Sequence, residues 1–501
     1  MAYVRTVKTA SGASGVQIVW SSRRGSRQIE HIGSAHDDGE VEALLVAARD
    51  RLAAGQQTLD LDLGLGSAPL PGGPLTIVGS QAAHLWEALS RAYDALGFDR
   101  VAGADETFRQ LVQARIIEPT SKFDSLRVLS EVGVAGPSYA TLRRRLPGYA
   151  TTEFAAALAK ACAKHAALGP ASLVLYDVST LYFETDAADE FRKPGFSKER
   201  RLEPQITIGL LTDATGFPLM VQAFEGNRGE TTTMLPVLKA FMTAHGLADV
   251  SVVADAGMVS AGNQEAIENE GLSFILGART PHVPYLVAQW RREHPGEDIP
   301  DGHVFAQPWP ATDKQKTAGR RDKTIFYRYK ADSARRSLRG IDEQVAKAEA
   351  AVAGKASVKR NRFVQLTGGD KSVNRDLEAK ARALAGIKGY VTNLPDPDPE
   401  FVIGAYHQLW RIEKSFRMSK HDLRARPIYH HKKESIEAHL NVVFAALAVT
   451  HHVETCTDWS IKQFVRTARR YRPVQIRAGT QVLTAQDPLP DDLRDALAHI
   501  C

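Results

Sequence analysis

The sequence predicts an α/β protein in which a mixed sheet is flanked by helices. Three observations lead to this prediction: strand and helix patterns alternate in residues 171–280, a long helical region precedes them, and the alternation resumes near residue 387. The chain has 501 residues, 44% of them hydrophobic, which is enough for a large core and two to four domains.

The central region predicts the type of sheet. Its strands and helices follow in the order strand, strand, strand, helix, strand, helix, strand: "SLVLYDVSTLYF", "PQITIGLLTD", "GFPLMVQAFE", "TTMLPVLKAFMTAHG", "VSVVADAG", a helix and "LSFILGA". Strands joined by short turns pair antiparallel, whereas strands joined through helices pair in parallel. This order is the layout of an RNase H-like mixed sheet.

The N-terminal half is predicted to carry a small β unit and a helical region. Residues 1–35 contain a hairpin pattern, and residues 64–74 have the glycine and proline content of a linker. Within the following helical region, residues 121–133 and 138–146 indicate two helices joined by a tight turn. Two interpretations stay open: an ordinary helix pair with a solvated basic end, or a helix-turn-helix that places these side chains on DNA: Arg143, Arg144 and Arg145.

The α/β pattern stops for about a hundred residues after Arg279. Residues 311–363 within this interval contain 15 Lys/Arg against 6 Asp/Glu, although the whole chain carries a formal charge of only +5. Such a concentration of charge, interleaved with aromatics in "KTIFYRYK", suits a nucleic-acid backbone, with a solvated surface as the alternative. The predicted division is as follows: 1–78 N-terminal β-hairpin and helix region, 79–168 helical region with a helix-turn-helix as one interpretation, 169–280 plus 385–456 RNase H-like domain, 281–384 insertion domain and 457–501 C-terminal tail.

Composition and the absence of certain motifs argue against several classes of protein. The longest uncharged apolar run is much shorter than a membrane span, and the N-terminus lacks a secretion signal, so a cytoplasmic protein with no membrane partner is expected. Three cysteines without a Cys-x-x-Cys pair predict no disulfide framework. No Walker A sequence is present, so no use of ATP is expected.

Three carboxylates stand where metal chemistry would need them. Asp177 follows the apolar run "LVLY", Asp255 ends the strand "VSVVA", and Glu413 lies inside a late helix. Side chains at strand ends are held by the sheet beside space for substrate, and three carboxylates together suit hard divalent cations. The alternatives are a turn or helix cap for Asp255 and a solvated surface charge for Glu413.

The residues around Glu413 form a stripe of donors and cations. Tyr406, Glu413 and Lys420 are spaced by seven, so on one helix they share a face, and Arg417 lies one turn beyond Glu413. A carboxylate flanked by cations suits a phosphate-bearing substrate approached by metal ions.

These motifs resemble the DDE transposases of bacterial insertion sequences, in the group with a Y-R-E-K signature. Tyr406, Glu413 and Lys420 match this signature in type and spacing, whereas Leu409 occupies its arginine position, for which Arg411 or Arg417 would substitute. "YDVSTLYFE" matches the first aspartate motif of the family, "VVADAGM" matches the second, and the interval between the second aspartate and the glutamate matches its insertion.

The resemblance implies a function and its partners. It implies an RNase H-like catalytic domain with Asp177, Asp255 and Glu413 as catalytic metal ligands for two Mg²⁺ or Mn²⁺ ions. Tyr406, Lys420, and Arg411 or Arg417 are then expected at the DNA. The implied activity is cut-and-paste transposition: a dimer in a synaptic complex binds double-stranded terminal inverted repeats, cleaves them and joins them to target DNA, at the bacterial nucleoid. Two alternatives are an RNase H-like nuclease without strand transfer and a non-catalytic DNA-binding protein.

Two further groups of residues are of interest. By location in the insertion, Trp290 and Trp309 are candidates for a role in excision, with core packing as the alternative. Histidines are frequent late in the chain, and the absence of cysteine partners favours phosphate contacts or packing over a zinc site: His421, His430, His431, His439, His451 and His452.

Overall fold

The computed structural model describes most of the chain and shows two compact units. The described residues are 2–8, 13–21, 27–35, 37–53, 75–169, 172–185, 187–195, 202–229, 232–245, 250–258, 260–317, 319–355, 361–367, 370–478, 480–485 and 488–500. The two units are Met1–Pro74 and Leu75–Cys501.

The first unit is a three-stranded antiparallel sheet with one helix. Its elements are β1 (Tyr3–Lys8), β2 (Ser14–Ser21), β3 (Arg27–Ala35) and α1 (Asp38–Ala53). Val16 and Ile18 of β2 pack with Ala48 of α1 in a small core of their own. The turn between β2 and β3 and the predicted linker, residues 64–74, lie outside the described residues.

The second unit begins with a strand and a set of helices. These are β4 (Thr76–Ser80), α2 (Ala83–Ala95), α3 (Phe98–Val101), α4 (Glu106–Ile117), α5 (Ser125–Glu131), α6 (Tyr139–Arg145) and α7 (Thr152–His165). Side-chain oxygens of Asp105, Ser138 and Thr151 cap the N-termini of α4, α6 and α7. The two helices predicted from residues 121–146 are therefore present as α5 and α6.

The core of the second unit is one eight-stranded mixed sheet. Its strands are β5 (Leu173–Tyr182), β6 (Gln205–Asp213), β7 (Pro218–Glu225), β8 (Ser251–Ala254), β9 (Ser273–Ala278), β10 (Val304–Trp309), β11 (Lys323–Tyr329) and β14 (Ile387–Thr392). The spatial order is β10-β11-β14-β9-β8-β5-β6-β7. Strands β5, β6 and β7 pair antiparallel, and β8 pairs in parallel with both β5 and β9. The predicted α/β class and mixed sheet are confirmed.

The interval between β9 and β14 contributes both to this sheet and to a separate cluster. Its other elements are α10 (Tyr285–Glu293), α11 (Asp313–Thr317), α12 (Ala331–Val352), β12 (Val364–Thr367), β13 (Asp370–Val373) and α13 (Arg375–Ala383). Two helices precede β9 in the chain: α8 (Met234–His245) follows β7, and α9 (Ala261–Asn269) follows β8. Strands β10 and β11 extend the central sheet next to β14, while Ile341, Val345 and Phe363 form a small core away from it. The boundaries of an insertion domain stay a prediction.

The C-terminal part contains the segment around Glu413. It comprises α14 (Pro399–His407), α15 (Leu409–Arg417), α16 (Lys433–Thr457), α17 (Ile461–Ala468), β15 (Val474–Ala478), β16 (Gln481–Ala485) and α18 (Asp491–His499). The single helix predicted here is interrupted at Gln408, and a π-helical turn, Met418–Asp422, follows α15. The C-terminal tail joins the rest of the second unit, because β15 pairs with β4.

Helix α16 is the central helix of the core. Among the described residues it is the one helix long and apolar enough to cross a membrane, yet 89% of its apolar window is buried inside the protein. Contacts with many surrounding elements, including α2, α4, α7 and β7, explain its apolar composition.

Candidate active site

The structure brings the three predicted carboxylates to one pocket. Asp177, Asp255 and Glu413 all line a cavity of about 260 Å³ in the second unit. They come from β5, from the residue after β8 and from α15, so the sheet and one helix together assemble the site.

Asp177 lies within a strand rather than at its end. The sequence places it after an apolar run, but β5 continues to Tyr182, because Val178 and Leu181 keep the strand buried beyond the carboxylate. Side chains two residues apart share a face of a strand, so Asp177 and Ser179 point to the same side. Lys420 donates a hydrogen bond from Nζ to Ser179 Oγ, which brings the π-helical turn next to this part of β5.

Asp255 is exposed and is held by two neighbouring groups. The Tyr406 hydroxyl donates a hydrogen bond to Asp255 Oδ1. Burial and this bond raise the pKa of Tyr406 well above its ordinary value, so the phenol remains a donor. Gly277 makes room for the hydroxyl, since a Cβ there would lie 2.7 Å from it. Arg279 donates to the carbonyl of Ala256 at 3.2 Å and thereby fixes the backbone after Asp255.

Glu413 is exposed on a helix whose opposite side is fixed. Ser415 is fully buried and donates from Oγ to the Gly216 carbonyl at 2.7 Å, with His451 Nε2 at 2.9 Å from the same oxygen. Arg411 donates to the Ala214 carbonyl at 3.0 Å. Both contacts attach α15 to the turn between β6 and β7, so Glu413 is presented to the pocket by a rigid support.

Lys388 is a pocket residue that sequence reasoning missed. It is the one lysine or arginine among the described residues that line this cavity, and its Nζ lies 4.6 Å from the centre of the Tyr406 ring. Burial and the nearby cations, Lys388 foremost, lower the pKa of His407, which also lines the cavity. The signal in the sequence was faint: a single cation at the start of the strand "IKGYVT".

Trp410 was missed as well. Its side chain is 58% exposed and lines the same cavity. An exposed aromatic ring beside the carboxylates suits stacking contact with a base or sugar. Leu409, which occupies the arginine position of the signature, is buried and also lines the cavity.

The predicted DNA-binding residues lie in different places. Tyr406 lines the carboxylate pocket and Lys420 contacts β5, whereas Arg411 is turned toward the β6–β7 turn. Arg417 is exposed and has no ion-pair partner in the described part of the chain. The three arginines of α6 are exposed and do not line the carboxylate pocket: Arg143, Arg144 and Arg145, of which Arg145 pairs with Asp105 at 3.3 Å.

The two candidate tryptophans differ in environment. Trp290 stacks on His294 with ring centres 4.4 Å apart and packs against a small apolar core. Trp309 is 57% exposed and lines a cavity of about 410 Å³ together with Arg279 and Lys323. Trp309 is therefore the more accessible of the two, because Trp290 is half-buried.

The late histidines are dispersed rather than gathered. His451 contacts Ser415, His439 contacts the Ala425 carbonyl at 3.1 Å, and His430 contacts Lys122. Among the described residues no group of three or more His, Cys, Asp or Glu side chains could hold one metal ion by itself.

The chemistry of the pocket nevertheless fits divalent cations shared with a substrate. Mg²⁺ is commonly bound by one or two carboxylates, with water and substrate phosphate oxygens completing its shell. Asp177, Asp255 and Glu413 supply hard oxygen donors at one cavity, and Lys388 supplies a positive charge beside them. The donor set therefore suits ions that enter with a phosphodiester rather than a closed structural site.

Comparison with known proteins identifies the family to which the chain belongs. The family model "Transposase DDE domain" matches residues 168–449, more than half of the chain. The chain belongs to this family, so it is a DDE transposase, an enzyme of DNA transposition that uses divalent metal ions. All three pocket carboxylates lie inside the matched segment.

Comparisons with solved structures and with curated proteins add no information about the site. A piggyBac transposase synaptic complex with hairpin DNA is similar at 12% identity and a TM-score of 0.39, covering 84% of this chain and 74% of that chain. A TM-score this low supports no argument about the site. The comparison with curated proteins found no match.

Proposed function

We propose that the protein cuts the ends of its own mobile element and joins them to target DNA, with Asp177, Asp255 and Glu413 as the metal ligands. The observation that carries this proposal is the convergence of the three side chains on one cavity from three separate elements. Asp177, Asp255 and Glu413 together would hold two ions, Mg²⁺ or Mn²⁺. When bound, such ions activate an attacking oxygen and stabilise a leaving oxygen.

The remaining pocket residues orient ligands and substrate. Tyr406 holds Asp255 through its hydroxyl and acts as a positioning residue. Lys388 faces the phosphate whose negative charge increases in the transition state. Trp410 offers an exposed ring to the adjoining nucleotide, and Lys420, next to β5, contacts the backbone on the other side.

Two successive displacements at phosphorus account for cutting and joining. In the first, the oxygen of water bonds to phosphorus, the P–O3′ bond breaks, and the products are a 5′-phosphate and a 3′-hydroxyl. In the second, the oxygen of this 3′-hydroxyl bonds to a phosphorus of the target strand. The target P–O3′ bond breaks, and the target strand is left with a free 3′-hydroxyl. Each displacement breaks one P–O bond and forms one, so no ATP is needed.

Binding two ends before cutting requires a dimer in a synaptic complex. The partners of that complex would be the double-stranded inverted repeats that bracket the element and, later, target DNA at the bacterial nucleoid. The exposed arginines of α6 and the basic segment 311–363 are the proposed repeat-binding surfaces in the second unit.

Strand mapping tests this function. A labelled duplex carrying the terminal repeats is incubated with wild type and Mg²⁺ or Mn²⁺, and products are mapped for cutting and for joining to a plasmid. We expect cutting at the repeat boundary followed by joining of the 3′ end. Cutting without joining would favour a nuclease, and binding without cutting would favour a DNA-binding protein.

A further inference from the structure

A second cavity lies on the same unit and is strongly basic. It has a volume of about 720 Å³. Six of its lining residues are lysine or arginine and one is a carboxylate: Arg424, Lys462, Arg466, Arg469, Arg470, Arg472 and Asp422. We call this cavity the basic groove.

The groove has an apolar floor that fixes its shape. Ile117, Leu423 and Ile461 are buried and line it from the end of α4, from the segment after the π-helical turn and from α17. Five of the cations lie on α17 and on the residues that follow it, and Arg424 lies after the π-helical turn. Six cations around one cavity favour a polyanionic partner over an apolar small molecule.

Part of the positive charge is already compensated within the protein. Arg469 pairs with Glu118 at 2.7 Å and with Glu131, and Arg472 lies 3.8 Å from Glu131. Lys462 pairs with Asp422 at 2.7 Å. These pairs hold the wall of the groove in place.

The other three cations remain available to a partner. Arg424, Arg466 and Arg470 are exposed, and within the described part of the chain none of them has an ion-pair partner. Guanidinium groups form paired hydrogen bonds with phosphate oxygens, so three exposed arginines at one groove suit a phosphodiester backbone.

The groove is linked covalently to the carboxylate pocket. Glu413 on α15 is followed by the π-helical turn and then by Arg424, eleven residues later in the chain. At about 1.5 Å per residue, as in a straight α-helix, eleven residues correspond to about 16 Å, or about four to five base pairs at 3.4 Å each. A separation of this size is within the length of one short duplex.

From this placement we propose that the basic groove binds the phosphate backbone of duplex DNA, about four to five base pairs from the bond cut at the carboxylate pocket. The distance from the cut rests on the proposed function, whereas binding of DNA by the groove does not depend on it. The groove supplies affinity without reading bases, because arginines on phosphates carry no direct sequence information.

Binding measurements on a triple variant test the groove. Arg424, Arg466 and Arg470 are replaced by Gln, and equilibrium binding of a repeat-bearing duplex is measured from about 50 to 200 mM salt. Three lost phosphate contacts should lower the slope of log affinity against log salt by about 2 to 3. The charge-matched control replaces three exposed cations on other elements with Gln: Lys239, Arg477 and Arg494.

A charge-retaining variant excludes loss of folding as the explanation. Replacement of the same three arginines by Lys should restore most of the salt slope, since ammonium groups also bind phosphate. A Gln variant that binds like the control, or a Lys variant that fails like the Gln variant, would overturn the proposal. So would displacement of the duplex by polyglutamate but not by unlabelled DNA, which would assign the groove to an acidic protein.

Backbone neutralisation locates the contact. Single methylphosphonates are placed along the duplex, and we expect weakened wild-type binding about four to five base pairs from the cut, with no such effect in the Gln variant. Equal sensitivity of both proteins at that place would contradict the assignment. If wild type cuts no DNA but the salt slope still depends on the three arginines, the proposed function fails while the groove stands.

Discussion

At the scale of single residues, the site depends on contacts that set the direction of each carboxylate. Asp255 is exposed, and the buried Tyr406 hydroxyl is what holds it. Lys388 lies over the ring of the same tyrosine. One aromatic side chain thus contacts both Asp255 and the cation of the pocket, and each member can be tested separately.

Tyr406→Phe removes the donor to Asp255 while keeping the ring. A hydrogen bond to a charged group contributes about 1.5 to 3 kcal/mol, so we expect single-turnover cleavage to fall about ten- to hundredfold and to require more metal. The matched control is Tyr390→Phe, because Tyr390 packs on Tyr406 with ring centres 5.0 Å apart. Equal metal dependence in the two variants would refute a positioning role.

Lys388→Gln should have the opposite effect on metal demand. Loss of a cation beside three carboxylates strengthens their attraction for Mn²⁺, so half-maximal activity should need less metal. The maximal rate should fall about tenfold or more, because the scissile phosphate loses a charged contact. Lys330→Gln is the control, since Lys330 is exposed and does not line the pocket. A rate unchanged from wild type would remove Lys388 from the mechanism.

At the scale of elements, α15 is held by the β6–β7 turn and followed by a π-helical turn. Arg411 and Ser415 bond to carbonyls of that turn, where Gly216 adopts a φ of +91°. This left-handed conformation suits glycine, and an added Cβ would meet Arg411 at 3.1 Å. The support of Glu413 is therefore built from the hairpin next to β5.

Substitutions of Arg411 and Arg417 should distinguish a role in stability from a role in DNA binding. Arg411→Gln removes the bond to the Ala214 carbonyl, and we expect the free energy of unfolding to fall by about 1 kcal/mol. Arg417→Gln should leave stability unchanged and weaken DNA binding, because Arg417 is exposed and unpaired among the described residues. Urea unfolding and salt-dependent binding measure both. The reverse pattern would show that Arg411 is the substitute for the signature arginine.

A feature of these elements could be predicted from the sequence only where neighbouring residues carry the pattern that indicates it. Asp255 could be predicted because a charge directly after a buried run marks a strand end, and Glu413 because its neighbours form a motif. Asp177 was predicted as a pocket residue but misplaced along β5, since apolar runs do not show where a strand ends. The helix break at Gln408 could not be predicted, because no glycine or proline marks it in the sequence.

At the scale of the whole molecule, function depends on segments far apart in sequence. The carboxylate pocket joins three elements of the sheet and helix layer, and the basic groove joins the end of α4 to α17. Residues 462–472 hold five of the six groove cations and are visibly basic in the sequence, but the sequence does not show that this segment meets the end of α4 and the residues after the π-helical turn. Lys388 was missed for the same reason: its partners lie on α14 and β8.

Buried histidines predict how stability depends on pH. Burial lowers the pKa of His430 to about 4 and that of His451 to about 3, and it lowers the pKa of His439 well below the ordinary value of 6.5. Between these values and 6.5 the unfolded chain binds more protons, so stability is lost as pH falls below 6.5.

The effect of one such histidine can be measured. Each contributes up to about 1.4 kcal/mol per pH unit in that window. Urea unfolding from pH 7 to 5 should show a shallower decline for His451→Gln than for wild type, while His421→Asn, at an exposed position, should match wild type. A decline equally steep in all three proteins would mean that His451 is protonated in the folded state.

The most direct test of the account is single-turnover cleavage of a pre-bound repeat duplex as a function of Mn²⁺. Wild type is compared with Asp177→Asn, Asp255→Asn and Glu413→Gln, with Glu400→Gln as a control at an exposed position of α14. The account predicts that the three pocket variants bind DNA like wild type but lose cleavage by a thousandfold or so at any metal concentration, as expected when charge stabilisation at the transition state is lost. Cleavage at the wild-type rate by any one of them would show that its carboxylate does not belong to the site.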